Sequence, residues 1–155
     1  MIEPAPRTVL FLCSGNYYRS RFAEHLFNHL ASARGLLYRA DSAGLWPACH
    51  TYNAGPMSRD TIDALHERGI ALPAPLRSPR DVQASDIAEA ALTIAVKEAE
   101  HRSIVESRFP ELLGRVEFWN VHDLDGAPPE VALPLLERHV HELLARLATQ
   151  ARQMP

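Results

Sequence analysis

The chain of 155 residues is 46% hydrophobic and 23% charged, which is enough for one domain with a buried core. Its formal net charge of -3 at pH 7 argues against nucleic acid as the main partner, because nucleic-acid binding favours a strongly basic surface. The chain starts with a polar, proline-broken segment and has no long apolar run, which predicts neither a secretory signal nor a membrane span. It has only two cysteines, which predicts no disulfide framework. We therefore expect a cytoplasmic protein.

In chain order, short apolar runs alternate with helical periodicity, which is typical of an α/β fold with a parallel sheet. Strands are predicted at 9–12, 38–43, 91–96 and 116–119. Helices are predicted at 20–33, from the N-cap Ser58 to a stop at Gly69, and at 84–89, 98–109 and 128–150. The pattern predicts a single domain over residues 1–155, with its ligand site at the carboxyl edge of the sheet.

The segment 13–20, which reads CSGNYYRS, joins the first strand to the first helix. A small-residue loop that leads into a helix points its backbone N–H groups inward, and such a cup binds phosphate. The same N–H groups would stabilise the thiolate of Cys13, the form that attacks. The guanidinium of Arg19 can hold two phosphoryl oxygens at once, and Ser20 can hydrogen-bond the sulfur. This spacing favours covalent catalysis over the alternative of a buried structural thiol.

The segment resembles the active-site loop of the low-molecular-weight protein tyrosine phosphatases, whose pattern is Cys, five residues, Arg, then Ser or Thr. The matching positions are Cys13, Gly15, Asn16, Arg19 and Ser20. Further similar segments span nearly the whole chain and lie at 22–24, 42–44, 69–70 and 98–101.

The resemblance implies a four-stranded, doubly wound, flavodoxin-like parallel sheet with the phosphate loop after the first strand. It also implies a phosphocysteine intermediate, with no metal and no cofactor. Phosphate binding is then expected from the loop residues Ser14, Gly15, Asn16, Tyr17, Tyr18, Arg19 and Ser20, with Ser42 in support.

A general acid is expected in the segment 121–126, which follows the fourth strand. Asp123 takes the place of the family's acid, and Leu124 stands where the family has proline. Because proline would stiffen the loop, we expect Leu124 to leave Asp123 less firmly aimed. Asp125 is the alternative acid, and a third reading makes both aspartates solvated turn residues before Gly126.

Other departures from the family concern the substrate and the support of the loop. Tyr17 and Tyr18 replace an Ile-Cys pair, so we expect Tyr17 at the mouth of the site and no second thiol for a redox switch. Ala74 stands where a supporting histidine is common, so the network joining Asn16 to Ser42 is expected to be thin. One wall of the crevice is expected from Trp46, Cys49, His50, Tyr52 and Asn53.

The sequence therefore predicts a phosphomonoesterase, most simply a protein tyrosine phosphatase. In this reading Cys13 attacks phosphorus, Arg19 and the loop amides stabilise the equatorial oxygens, and Asp123 protonates the leaving group. The substrate is expected to be a phosphotyrosine protein or a small phosphomonoester, without nucleic acid or membrane partners. Two alternatives stay open: a thioredoxin-coupled arsenate reductase, for which only Cys49 is available as a further thiol, and a non-catalytic anion-binding module.

Overall fold

The computed structural model describes residues 4–50 and 52–153, apart from the side chain of Cys49. Four strands are present: β1 (Arg7–Cys13), β2 (Tyr38–Gly44), β3 (Leu92–Ala95) and β4 (Val116–Phe118). Five α-helices are described: α1 (Arg19–Ala33), α2 (Arg59–Glu67), α3 (Ala84–Glu89), α4 (Glu98–Arg108) and α5 (Pro129–Gln153). Two short 3-10 helices, Pro47–His50 and Pro110–Arg115, were not predicted. They lie in proline-containing connections that lack the apolar periodicity of a longer helix.

The four strands form one parallel sheet in the order β2-β1-β3-β4. The chain leaves β1 in one direction to make β2 and crosses to the other side to make β3. The winding direction therefore reverses at the carboxyl end of β1, which is where ligands bind in open α/β sheets. Cys13 is the last residue of β1. The predicted fold class, a doubly wound flavodoxin-like sheet with the Cys/Arg loop after its first strand, is confirmed.

The side chains of β1 alternate between two core layers, as the two-residue period of a strand requires. Val9, Phe11 and Cys13 belong to the layer that includes α1 and α5, whereas Leu10 and Leu12 belong to the layer that includes α3 and α4. The predicted apolar stripe of α5 is buried in the first layer: Leu133, Leu136, Val140, Leu143, Leu144 and Leu147. Both faces of the central strand are thus covered, and each fully buried leucine contributes about 1.5–3 kcal/mol.

Helix α2 begins and ends close to the residues that the sequence indicates. Gly69 has a φ of +73°, the left-handed conformation that glycine adopts cheaply after a helix. Ser58 stands at the N-cap, but its side chain makes no capping hydrogen bond. Its backbone N–H instead donates to the carbonyl of Tyr17 at 2.9 Å, which ties the start of α2 to the phosphate loop. None of the helices in the described part of the chain has the length and apolar character needed to cross a bilayer.

Candidate active site

The phosphate loop, residues 13–20, is tied on one side to the end of β2. The backbone N–H groups of Leu45 and Trp46 donate to the carbonyls of Cys13 and Ser14 at 2.8 and 2.9 Å. A Cβ on Gly44 would lie 2.9 Å from the carbonyl oxygen of Ser14, so only glycine allows this close approach. These contacts hold the loop in a fixed position above the sheet edge.

The predicted site residues separate into two groups. Seven line one cavity of about 530 Å³: Cys13, Ser14, Gly15, Tyr17, Tyr18, Arg19 and Asp123. Three others, Asn16, Ser20 and Ser42, are fully buried behind the loop. The thiol of Cys13 is only 2% exposed, and its Sγ lies 2.9 Å from Oγ of Ser20. The predicted nucleophile and its hydroxyl partner are therefore in contact, as the spacing predicts.

A dense hydrogen-bond network supports the loop through Asn16, which has a φ of +53°. Its Nδ2 donates to Oγ of Ser20 and to Oγ of Ser42, each at 2.9 Å. Its Oδ1 accepts from Nη1 of Arg77 at 2.9 Å and from the backbone N–H of Arg80 at 3.1 Å. The expectation of a thin network was wrong, because Arg77 supplies the donors that Ala74 lacks.

The guanidinium of Arg19 is 1% exposed and is held from two sides. Its Nη1 donates to the carbonyl of Val121 at 2.8 Å, and its Nη2 donates to Oε2 of Glu100 at 3.0 Å. Oδ2 of Asp123 lies 3.6 Å from the same Nη2. The segment after β4 and the first turn of α4 thus fix the orientation of the arginine, and Glu100 gives it a counter-ion that the sequence did not reveal.

His101, which is fully buried, positions Ser14 of the loop. Burial first, and then the positive charges of Arg19 and Lys97, lower the pKa of His101 to about 3, so the ring is neutral. The backbone N–H of Lys97 donates to Nδ1 at 3.1 Å, which assigns the ring proton to Nε2. Nε2 then donates to Oγ of Ser14 at 3.0 Å, and Ser14 is left free to donate to Glu100.

The acid loop, residues 121–127, follows β4 and faces the same cavity. The carbonyl of Asp123 accepts from the backbone N–H groups of Gly126 and Ala127 at 2.9 and 3.1 Å, so the loop folds into a turn without proline. Asp125 and Leu124 also line the cavity. Of the two carboxylates, Asp123 makes the contact with Arg19, and its side chain is 34% exposed. Of the two predicted acids, Asp123 is therefore the one that the structure places beside Arg19.

Aromatic residues form one wall of the cavity, as expected. Tyr17, His50 and Tyr52 line it, and the hydroxyl of Tyr17 donates to the carbonyl of Ala54. Asn53 also lines the cavity, whereas Trp46 lines a neighbouring groove. The expectation for Cys49 falls on a side chain outside those that the structure describes.

Tyr18, a residue of the phosphate loop, is almost completely buried, with 5% of its surface exposed. Burial first, and then the nearby carboxylates of Asp60 and Asp123, raise the pKa of its phenol above the ordinary value. Its backbone carbonyl accepts from Oγ1 of Thr61 at 2.9 Å. Tyr18 is therefore a buried, neutral phenol at the edge of the cavity, in the position where the family often has a second thiol.

A larger groove of about 820 Å³ lies elsewhere and is lined by residues that include Glu24, His25 and Asp41. Neither the thiol nor the guanidinium of the Cys/Arg motif faces it. The smaller cavity is the candidate active site, because it combines a nucleophile, a fixed cation and carboxylates.

Residues 8–153 match the family described as low molecular weight phosphotyrosine protein phosphatase. A curated relative, the protein-arginine-phosphatase of Bacillus subtilis (strain 168), is 31% identical over 101 residues, which are 65% of this chain and 62% of that protein. The crystal structure of YfkJ from Bacillus subtilis superposes with a TM-score of 0.79 at 26% identity, covering 97% of this chain and 99% of that one.

A further similar structure is a YwlE arginine phosphatase mutant in which cysteine is replaced and the active-site serine is phosphorylated. Its TM-score is 0.71 at 26% identity, over 94% of this chain and 96% of that one. These matches support the predicted cysteine-dependent phosphatase and do not favour the arsenate reductase or the binding module. The family match spans nearly the whole described chain, and the chain therefore belongs to the low molecular weight phosphotyrosine protein phosphatase family.

Proposed function

We propose that this protein hydrolyses phosphotyrosine in proteins through a phosphocysteine formed on Cys13. One observation carries the proposal: the thiol of Cys13, the guanidinium of Arg19 and the carboxylate of Asp123 line one cavity at the switch point of the sheet. A nucleophile, an oxyanion-binding cation and an acid are the three groups that this reaction needs.

In the first step the Cys13 thiolate attacks phosphorus opposite the leaving oxygen. A sulfur–phosphorus bond forms as the phosphorus–oxygen bond breaks, and Asp123 gives its proton to the departing phenolate. Arg19 and the loop amides stabilise the charge on the equatorial oxygens. Proton donation by a positioned acid is worth about 10²–10⁴-fold.

In the second step water attacks the phosphocysteine, and Asp123, now a carboxylate, takes the proton. The sulfur leaves as a thiolate, and the hydroxyl of Ser20, 2.9 Å away, stabilises it by hydrogen bonding. A phosphorylated active-site serine in the YwlE mutant supports attack from the corresponding position. We also infer a reducing, cytoplasmic compartment, since the nucleophilic thiol needs one.

The leaving group would lie against the aromatic wall. Tyr17 and Tyr52 offer ring surface to a phenyl ring, and Tyr52 is 77% exposed. Small aryl phosphomonoesters would bind in the same way. The decisive assay is steady-state turnover of a phosphotyrosine peptide and of p-nitrophenyl phosphate in EDTA, beside an arsenate reduction assay with thioredoxin. Phosphate release that Cys13→Ser abolishes is expected; arsenate reduction without phosphate release would contradict the proposal.

Protein phosphoarginine is a second candidate substrate, favoured by the acidic rim of the cavity. Glu100 and Asp125 line it beside Asp123, and the negative charges of Glu100 and Asp125 would attract a cationic guanidinium leaving group more than a neutral phenol. The relative from Bacillus subtilis is named a protein-arginine-phosphatase, which adds weight to this substrate.

The two substrates can be separated by comparing kcat/KM for matched phosphoarginine and phosphotyrosine peptides. If the acidic rim selects a guanidinium, Glu100→Gln should lower the phosphoarginine value by about tenfold relative to the phosphotyrosine value. The control is Glu98→Gln, because Glu98 lies on the same helix but is 53% exposed and pairs with Arg102. An unchanged ratio in Glu100→Gln would leave phosphotyrosine as the preferred assignment.

A further inference from the structure

Arg77 forms the centre of the hydrogen-bond network behind the phosphate loop. Its Nη1 donates to Oδ1 of Asn16, and its Nη2 donates to Oγ of Ser42 at 3.0 Å and to Oε1 of Glu24 at 3.2 Å. It comes from the connection between α2 and α3 and is absent from the lining of the active-site cavity. Arg77 therefore acts on the site only through other residues.

The direction of each hydrogen bond in this network is fixed by chemistry. Arginine can only donate, so the atom of Asn16 that faces Arg77 is the oxygen and the atom that faces Ser20 is the nitrogen. Ser20 accepts from Asn16 and has one proton, which is left to donate to Sγ of Cys13 at 2.9 Å. The donors thus run in one direction, from Arg77 through Asn16 and Ser20 to the sulfur.

Each link in such a chain polarises the next, and a buried setting strengthens the effect. Asn16 and Ser20 are fully buried, so water does not compete for their hydrogen bonds. The charge of Arg77 is itself balanced by Glu24 and by Asp41, whose Oδ1 lies 3.8 Å away. Its influence on Cys13 therefore travels through the oriented hydrogen bonds more than through direct attraction.

We propose that Arg77 is a positioning residue for the phosphoryl-transfer reaction. Through Asn16 it orients the hydroxyl of Ser20 so that this hydroxyl donates a hydrogen bond to the sulfur of Cys13, and this hydrogen bond stabilises the thiolate. The proposal rests on the nucleophilic role of Cys13 proposed above. It gives this chain a permanently charged support for the loop asparagine, where the family commonly uses a histidine that can titrate.

The test is the pH dependence of the alkylation of Cys13 by iodoacetamide, followed at the level of the Cys13 peptide by mass spectrometry. In Arg77→Met the pH midpoint of Cys13 alkylation should rise by about one pH unit. The reason is that losing one strong hydrogen bond should lower the thiolate population at a given pH about tenfold. The kcat for p-nitrophenyl phosphate should fall about tenfold at neutral pH with little change in KM. Arg77→Lys, which keeps a donor and the charge, should restore part of both values.

The matched control is Arg68→Met, because Arg68 is 25% exposed and ion-paired with Glu137 but does not contact the loop. It should leave the midpoint unchanged. A double-mutant cycle with Ser20→Ala tests the route: if the effect passes through Ser20, Arg77→Met should shift the midpoint no further in that background. A full additional shift there would overturn the proposal, as would a lost kcat with an unmoved midpoint in Arg77→Met.

The thiol titration does not need turnover, so it separates this proposal from the proposed function. If Cys13→Ser kept its activity, the nucleophile assignment would fail while the titration of Cys13 could still be read. If Arg77→Met does not fold, Arg77→Lys carries the test alone: an alkylation midpoint equal to that of the wild type, together with loss of its Asn16 contact in a crystal structure, would overturn the role of Arg77.

Discussion

The phosphate loop and the acid loop meet in one cavity but are held in different ways. In the phosphate loop the side chain of Asn16 makes four hydrogen bonds and is fully buried. In the acid loop the side chain of Asp123 is 34% exposed and Leu124 is 50% exposed. The groups proposed to stabilise transition-state charge are fixed in advance, whereas the proposed proton donor depends on a short turn. Substitutions in the phosphate loop should therefore abolish catalysis, whereas substitutions in the acid loop should change the rate only partly.

The largest effect is expected at the nucleophile. Cys13→Ser should lower kcat for p-nitrophenyl phosphate by about 10⁴-fold or more, since a hydroxyl at neutral pH is a far weaker nucleophile than a thiolate. The loop amides and Arg19 remain, so vanadate should still bind, as isothermal titration calorimetry would show. Substantial turnover in this variant would remove Cys13 from the mechanism.

The next effect is expected at the buried arginine. Arg19→Lys keeps a positive charge but cannot hold two oxygens with one planar group or contact both Val121 and Glu100. We expect kcat/KM to fall about 10²–10³-fold in a steady-state assay with p-nitrophenyl phosphate. Arg68→Lys, just after α2, serves as the control. Near-normal rates in Arg19→Lys would mean that the loop amides alone bind the oxyanion.

A smaller effect that depends on the leaving group is expected in the acid loop. Asp123→Asn should slow phenyl phosphate by about 10²-fold but p-nitrophenyl phosphate much less, because p-nitrophenolate departs with little protonation. Asp125→Asn should change neither rate by much, since Asp123 is the carboxylate that contacts Arg19. A steep dependence on the leaving group in Asp125→Asn alone would transfer the acid role to that residue.

The support of the phosphate loop also predicts a pH effect on stability. His101 has its pKa lowered from 6.5 to about 3 in the fold, so the unfolded chain binds a proton that the folded chain excludes between these values. The contribution of neutral His101 to the free energy of unfolding is therefore fully present above pH 6.5 and is lost as the pH falls toward 3. Urea unfolding should show that this loss of free energy of unfolding, about 3 kcal/mol at pH 4 for the wild type, is absent in His101→Gln. The exposed His66→Gln should keep it, and an equal loss in both variants would contradict this role.

The sequence revealed the parts of the site that lie in one contiguous segment. Cys13, Arg19 and Ser20 belong to a single strand–loop–helix unit, so their mutual placement follows from spacing alone. Glu100 meets Arg19 across 81 positions of chain. This contact forms because β3 pairs beside β1 and delivers the first turn of α4 to the loop. If the pairing of β3 with β1 had been predicted, the start of α4, and with it Glu100, could have been placed beside the phosphate loop.

Arg77 was harder to predict, because no periodic pattern marks it. It lies in the proline-rich connection between α2 and α3, where the backbone path is irregular and the chain direction cannot be read from residue spacing. The similarity to the family showed that Ala74 stands where a histidine is common, which predicted a weaker hydrogen-bond network around Asn16. The compensation came three residues later, from a longer side chain that reaches the same amide oxygen of Asn16.

The smallest effect is expected at Leu124, where a substitution can make the acid loop more rigid and so more like the phosphate loop. Residues 123–126 form a turn in which the carbonyl of Asp123 accepts from the N–H of Gly126, and Leu124 occupies the second position. Aspartate first, proline second and glycine fourth are the residues that such turns prefer. No described residue accepts a hydrogen bond from the N–H of Leu124, so proline would remove none.

Leu124→Pro should therefore fix the aim of Asp123 and raise kcat for phenyl phosphate by about two- to fivefold, with little change in KM, because it preorganises a group used in the transition state. It should also stabilise the fold by about 0.4–1 kcal/mol through the unfolded chain. Leu124→Ala is the control, since it removes the exposed side chain without stiffening the backbone. A lower kcat in Leu124→Pro with unchanged folding would mean that Asp123 must move between donating the first proton and accepting the second.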